Sequence, residues 1–156
     1  MLDTPRAYTD YSLKQLRVLP EGVKESDENL TLKDLIGAEV IASFVPRESL
    51  DIFSGHFPGN PILPGVIQLE MMAQASCFMS TKVYKNPDSV ELNVALMGVS
   101  SSKFRKPVKP NMELTIRAKL VKARGPVISY DCEITHEGNL MSEASVLASV
   151  QFVEKH

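Results

Sequence analysis

The sequence predicts an α+β fold in which an antiparallel sheet wraps around one long central helix. Residues 66–84 are apolar on most sides and contain neither proline nor glycine, which is typical of a buried helix. From residue 92 onward the hydrophobic period changes to two, which is typical of strands with one wet face. A helix that is apolar on most sides needs a second layer to cover it, and the sheet supplies that layer.

The alternating segments predict the strands of the sheet in chain order. The first alternating segment is 40–45, and Pro46 ends it. Later segments are joined by turns at 125–126 and 137–139, so we expect an antiparallel meander. The N-terminal part, 1–36, is weakly patterned, with a short helix or strand near 13–19, a charged loop and a helical turn at 31–36. The later strands are predicted at 92–99, 114–120, 128–135 and 144–152.

Length and composition indicate one soluble domain over residues 1–156, and a chain of this size buries roughly 68–70% of its unfolded surface. The net charge of -2 argues against a general nucleic-acid binder. We expect no signal peptide and no membrane insertion, because no sufficiently long apolar run exists. Cys77 and Cys132 lie in apolar contexts, so we expect free thiols and a cytoplasmic protein.

The most informative stretch is 55–65, which reads GHFPGNPILPG. Three prolines fix φ three times in seven residues, so the loop loses little entropy when it orders His56. An imidazole has an ordinary pKa of about 6.5 and is therefore suited to taking a proton near neutral pH. The sequence thus predicts His56 as a catalytic base.

Four further positions complete this candidate site. Gly65 and Val66 open the predicted helix, where unpaired N–H groups hold a developing oxyanion. Glu70 follows among apolar neighbours, so we expect burial to keep it protonated until it donates to a leaving hydroxyl. Gln74 lies one turn beyond Glu70 on the same helix face. These groups suit removal of water beside a carbonyl, which yields a conjugated alkene.

Each signal also has a structural interpretation. A lone loop histidine is commonly structural, a lone helical glutamate commonly faces solvent, and such prolines and glycines often form only a tight turn. A basic run follows at 103–109, and it indicates either a solvated strand end or a docking site for an acidic carrier protein. No metal-ligand spacing is present. The cations of the run are Lys103, Arg105, Lys106 and Lys109.

Taken together, the segment 55–66, Glu70 and the Ala73-Gln74 pair resemble the signature of the beta-hydroxyacyl-acyl-carrier-protein dehydratases of bacterial fatty-acid synthesis. The segment 103–110 is similar to a second motif of that family, and the resemblance covers about 37–152. The N-terminal segment departs from the family pattern, as do Gly98 to Ser102 and Asn111-Met112. These departures favour a divergent member, of a specialised lipid or polyketide pathway.

The resemblance implies a hotdog fold and a homodimer, often assembled as a trimer of dimers, in which His56 of one subunit works with Glu70 of the other. It implies a 3-hydroxyacyl chain, carried on the phosphopantetheine of an acyl carrier protein, in an apolar tunnel, with no metal or organic cofactor. A glutamate at position 70 resembles the elongation dehydratases and implies no isomerase activity. The alternatives are an acyl-thioester hydrolase and a non-catalytic module that binds the acyl carrier.

Overall fold

In the computed structural model of the protein, residues 16–24, 27, 30–80 and 90–154 are described. Eight elements follow one another in these ranges, in an order that agrees with the predicted α+β class. They are β1 (Leu16–Val18), β2 (Glu39–Phe44), α1 (Ile52–Gly55), α2 (Gly65–Ser80), β3 (Val90–Phe104), β4 (Leu114–Arg124), β5 (Val127–His136) and β6 (Asn139–Glu154).

The strands form one six-stranded antiparallel sheet in the order β1-β2-β4-β5-β6-β3. The predicted meander is confirmed, since β4, β5 and β6 are neighbours joined by the two predicted turns. Strand β3 is longer than predicted, because it follows β6 through two register shifts, between Leu96 and Gly98 and between Ser100 and Lys103. Such irregularities interrupt the alternation that sequence reasoning relies on.

Helix α2 lies across one face of this sheet and contacts β2, β4, β5 and β6. Its inward face carries Met71, Met72, Ala75 and Met79, all of which are buried. The sheet buries alternate residues against this face, as the period of two predicts, and each fully buried side chain of Leu or Met size contributes about 1.5–3 kcal/mol. The predicted continuation of the helix to residue 84 lies outside the described residues.

The described part of the N-terminal segment belongs to the same sheet and core. Strand β1 pairs with β2, so the segment predicted as a short helix or strand near 13–19 forms a strand at 16–18. The turn predicted at 31–36 is present, and it places Leu35 in the core with 0% exposure. Gly37 follows with φ of +95°, and its N–H donates to the Leu120 carbonyl at 2.7 Å. This left-handed backbone conformation favours glycine.

None of the helices in the described ranges is both long and apolar enough to cross a bilayer.

Candidate active site

The loop after α1 holds His56 by hydrogen bonds within its own chain. The half-buried ring lies with Nδ1 2.9 Å from the Ile62 carbonyl oxygen, and the Ile62 N–H donates to the His56 carbonyl at 2.8 Å. A carbonyl oxygen only accepts, so the short contact places the ring proton on Nδ1. In the neutral ring this tautomer leaves the lone pair on Nε2, which is the arrangement that a general base requires.

Further contacts make this loop as stiff as its prolines predict. Phe57 and Asn60 exchange backbone hydrogen bonds of 3.1 and 2.9 Å across a turn that contains Gly59 at φ +75°. The Phe57 ring stacks on the His56 ring with centroids 3.9 Å apart. The Leu63 N–H donates to the Val108 carbonyl at 2.7 Å and so ties the loop to the segment after β3.

Helix α2 begins at Gly65, as predicted, beside the histidine loop. A Cβ atom at this position would lie 2.8 Å from the Phe104 ring, so only glycine allows the ring to cross the helix start at this distance. The Pro64 carbonyl accepts from Ile67 at 3.1 Å, and the earlier N–H groups of Gly65 and Val66 have no acceptor among the described residues. They remain available to a ligand oxygen.

A groove of about 480 Å³ joins the histidine loop to the helix start. Its lining brings His56, Gly65 and Val66 together with Arg105 and Lys106 from the segment after β3. These residues come from three separate parts of the sequence. The structure therefore places a fixed imidazole, free helix N–H groups and two cations around one opening.

Gln68 also lines this groove, and sequence reasoning missed it. Its side chain is 3% exposed, its Nε2 donates to the Leu63 carbonyl at 3.2 Å, and its Oε1 has no hydrogen-bond partner among the described residues. The bond connects the first turns of α2 to the histidine loop. The sequence did contain a signal for this role. Gln68 stands three positions before Met71, and this spacing places a polar residue on the same helix face as an apolar one.

Glu70 has different surroundings from those that the sequence predicts. Its side chain is exposed in the single protomer, because Met71 and Met72 face the sheet instead of enclosing it. It does not line the groove that contains His56. Gln74 donates from Nε2 to Glu70 Oε1 at 2.8 Å, as their spacing predicts. One protomer thus orients this carboxylate but does not remove it from water.

Most cations of the basic run have polar or acidic partners, which the sequence of the run does not indicate. Strand β6 brings Glu143 beside it, with Oε1 2.7 Å from an Arg105 guanidinium nitrogen and 3.9 Å from Lys103 Nζ. The hydrogen bond from Arg105 lowers the pKa of Glu143. Lys106 Nζ donates to the Asn139 side chain at 2.8 Å, and Lys109 is exposed.

The cysteines carry no sign of reactivity. Burial raises the pKa of Cys132 to about 11, and burial together with the Glu70 carboxylate raises the pKa of Cys77. Both thiols are free, as expected, although Cys77 is only half-buried. In the ranges 16–24, 30–80 and 90–154, with Asp27, no three His, Cys, Asp and Glu side chains are placed to hold a metal ion.

An antiparallel sheet around one helix, with the loop before that helix lining a groove, defines the hotdog fold, which dehydratases and thioesterases share. Residues 34–145 match the ApeI-like family, described as ApeI dehydratase. The chain therefore belongs to the ApeI-like dehydratase family, and both the predicted dehydratase resemblance and the predicted fold are confirmed.

Individual proteins give the same result. The chain is 33% identical to the 3-hydroxyacyl-[acyl-carrier-protein] dehydratase FabZ of Syntrophobacter fumaroxidans over 121 residues, which is 78% of each protein. The dehydratase heterocomplex ApeI:P from Xenorhabdus doucetiae matches at a TM-score of 0.52 and 19% identity, over 71% of this chain and 87% of that one. A hypothetical thioesterase with coenzyme A from Streptococcus pneumoniae matches at a TM-score of 0.57 and 19% identity, over 76% of this chain and 85% of that one. The two structural likenesses bear on the fold alone.

Proposed function

We propose that the protein is a (3R)-hydroxyacyl-[acyl-carrier-protein] dehydratase, which removes water from 3-hydroxyacyl thioesters to give trans-2-enoyl thioesters. The observation that carries the proposal is the fixed His56 ring, whose Nδ1 is engaged by the Ile62 carbonyl at 2.9 Å while its other nitrogen is left as a base. The relatives named as FabZ dehydratases support the same reaction.

In this reaction His56 Nε2 takes the proton from carbon 2 of the bound thioester. The electron pair of that C–H bond moves toward the carbonyl, and the oxygen that becomes negative accepts hydrogen bonds from the free N–H groups at Gly65 and Val66. Glu70 then donates a proton to the hydroxyl on carbon 3. The C–O bond breaks, the double bond forms between carbons 2 and 3, and water leaves. Return of the His56 proton to Glu70 through water resets both groups.

The exposure of Glu70 supports a shared site. Within one protomer this carboxylate lies outside the His56 groove and in contact with solvent, which is a poor setting for a carboxyl that must hold a proton near neutral pH. We therefore propose a homodimer in which the second subunit covers Glu70 and supplies its own His56 to the same substrate. Gln74 holds the carboxyl in one orientation. A trimer of such dimers is the larger assembly that we propose.

The edge of the sheet offers a surface for that dimer. Strand β3 lies at the edge of the sheet and pairs on one side only, and several of its apolar side chains are exposed. An exposed apolar edge strand is suited to pairing with a second copy. Val94, Leu96, Met97 and Val99 are among the exposed apolar side chains of the strand.

The cations beside the groove support docking of an acyl carrier protein. Arg105 and Lys106 line the opening through which a phosphopantetheine arm would reach His56. Lys103 and Arg105 are partly neutralised by Glu143, so we propose that Lys106 and Lys109 contribute most of the free positive charge. Such charges raise the rate of encounter more than the final affinity. We propose no metal or organic cofactor, and a cytoplasmic location alongside the carrier protein.

A single assay separates the candidate functions. Purified protein is incubated with 3-hydroxyacyl-acyl carrier protein while the absorbance of the enoyl product and the release of free thiol are followed. Enoyl product without thiol is the expected result. Thiol without enoyl product would instead identify an acyl-thioester hydrolase, and neither signal, with the acyl carrier still bound, would identify a non-catalytic module.

Docking is tested separately by surface plasmon resonance with the carrier protein. Lys106→Ala combined with Lys109→Ala is expected to lower the association rate roughly tenfold at low salt, and added salt should reduce the difference between variant and wild type. Lys33→Ala and Lys119→Ala, on other parts of the surface, form the matched control pair. An unchanged association rate in the first double variant would contradict the proposed docking surface.

A further inference from the structure

A short segment joins the His56 loop to helix α2, and its peptide groups are anchored one after another. Ile62 contributes the carbonyl whose oxygen lies 2.9 Å from His56 Nδ1. The next N–H, that of Leu63, belongs to the same planar peptide group and donates to the Val108 carbonyl at 2.7 Å. The bond to Val108 therefore also fixes the direction of the oxygen that holds the histidine ring.

The following peptide group, between Leu63 and Pro64, has a carbonyl but no N–H, because proline lacks that donor. Its oxygen accepts from Nε2 of Gln68 at 3.2 Å. The group after it, between Pro64 and Gly65, lies at the start of α2, and its oxygen accepts from the Ile67 N–H at 3.1 Å. The side chain of Gln68 thus holds the middle one of the peptide groups that connect the imidazole to the helix start.

Gln68 reaches this carbonyl because of its place in the helix. It is the fourth residue of α2, and helical side chains tilt toward the N-terminus, so its amide lies back over the segment that precedes the helix. The side chain is 3% exposed and lines the same groove as His56. A carbonyl oxygen only accepts, so the amide nitrogen faces Leu63 and Oε1 points elsewhere.

The other half of the amide argues against a purely stabilising role for Gln68. Its Oε1 is buried and has no hydrogen-bond partner among the described residues. An unpaired buried oxygen costs free energy, and a methionine of similar length would fill the position without that cost. This cost offsets part of what the bond from Nε2 contributes to stability, whereas the same bond acts directly on the segment that holds the His56 ring.

We propose that Gln68 is a positioning residue, which keeps His56 and the N–H groups at the start of α2 at a fixed separation through the Leu63 carbonyl. This inference rests on the proposed function, since it concerns how the same site aligns its base with the oxygen that becomes negative. Without the bond, the peptide group before Pro64 loses its anchor, and the imidazole moves relative to the helix start. A displacement of about 1 Å between reacting groups lowers a rate by about a hundredfold.

Steady-state kinetics with a 3-hydroxyacyl-acyl carrier protein test the proposal. Gln68→Met keeps the length of the side chain and removes the donor, so kcat should fall roughly ten- to a hundredfold while KM stays within about twofold of its wild-type value. Ser76→Ala is the matched control, because Ser76 is also buried on α2 and its Oγ donates to a backbone carbonyl, that of Met72, at 2.8 Å. Its kcat should stay near that of the wild type, although it too loses a buried hydrogen bond.

The tautomer of the His56 ring is a second readout, which requires no substrate. In ¹⁵N spectra at a pH where the rings are neutral, the wild type should show His56 protonated on Nδ1, and Gln68→Met should show a mixture of both tautomers. His136 is an internal reference with unchanged signals, since its Nδ1 lies 2.8 Å from the Glu113 carbonyl and it does not line the groove. The spectrum of His56→Ala assigns the signals.

A folded Gln68→Met variant with wild-type kcat or with unchanged His56 signals would overturn the inference, and so would equal losses of kcat in Gln68→Met and Ser76→Ala. Gln68→Leu, which also lacks the donor and favours a helix, takes the place of Gln68→Met in both readouts if the latter does not fold. Failure of the proposed function is seen separately, because the wild type then forms no enoyl product while the change of the His56 tautomer persists.

Discussion

The His56 loop and the Glu70 face of α2 provide the two proton-transfer groups of the proposed site, and they differ in how far one protomer prepares them. His56 is half-buried, stacked on Phe57 and fixed by the Ile62 carbonyl, so its tautomer is set before substrate binds. Glu70 is exposed, and Gln74 is the neighbour that orients it. The difference teaches that local sequence is enough to fix the proposed base, whereas the proposed acid would need a covering surface from elsewhere.

The largest expected effect comes from removing the base. His56→Ala should lower the dehydration rate about 10²- to 10⁴-fold, the usual contribution of a general base, with little change in the urea midpoint. His136→Ala is a matched control, because the Nδ1 of His136 also lies 2.8 Å from a carbonyl, that of Glu113, and His136 does not line the groove. If the dehydration rate falls equally in the two variants, the loss comes from the missing hydrogen bond to a carbonyl and not from proton transfer by His56.

Removing the acid should cost nearly as much while leaving the protomer unchanged. Glu70→Gln preserves the shape and the contact with Gln74 but cannot supply the proton, so we expect a rate about 10²- to 10⁴-fold lower. Its matched control is Glu133→Gln, an exposed residue of β5.

Mixing inactive His56→Ala with inactive Glu70→Gln sharpens the comparison further. After subunit exchange a mixed dimer holds one complete site, so part of the activity should return in the same steady-state assay. Exchange is verified by native mass spectrometry. If mixed dimers form and stay inactive, the two groups do not serve a shared site.

The junction between the loop and the helix should give an intermediate effect. Gly65→Ala places a Cβ about 2.8 Å from the Phe104 ring, which must move out of the groove wall. Overpacking of this kind costs about 1–3 kcal/mol, measured as a lower urea midpoint, and the displaced ring should also raise KM. Adding Phe104→Leu should restore most of both quantities. A double variant no better than Gly65→Ala would point to lost N–H geometry instead of the steric contact.

Gln74 should have a smaller effect. Gln74→Leu removes the donor to Glu70 Oε1, so the carboxyl samples more orientations and kcat should fall roughly tenfold or less. Because Gln74 does not touch the groove that holds His56, KM should stay near its wild-type value in steady-state kinetics. A large rise in KM with unchanged kcat would contradict an orienting role.

The smallest effect is expected at the surface ion pair. Arg105 lowers the pKa of Glu143, so this carboxylate stabilises the folded state above its unfolded pKa, and the contribution is lost as pH falls through the lower folded value. Glu143→Gln should therefore leave the urea midpoint almost unchanged at neutral pH, because the pair is exposed, and should flatten its decline in acid. An unaltered acid decline would show that the pair contributes nothing to stability.

Most elements of the fold follow from local sequence. The period of two predicts the strands of the meander, and the turn at 125–126 and Gly138 predict their connections. The prolines of 55–65 predict the stiff loop, and Gly65 predicts the helix start. Prediction was weaker for β3, whose bulges break the period, and for Gln68, whose role depends on a carbonyl that the helix meets only in three dimensions.

By itself the sequence determined which segments become helix and strand, and which two residues are chemically suited to move protons, because both depend on residue type and spacing. Tertiary structure decided what covers each of them. It buried Tyr130 and Ser80 in the core, brought Glu143 beside Arg105 through the register of β6 with β3, and left Glu70 in solvent. The physical reason is that a periodic pattern identifies a face, whereas the neighbours of that face come from distant segments whose register and packing no local pattern contains.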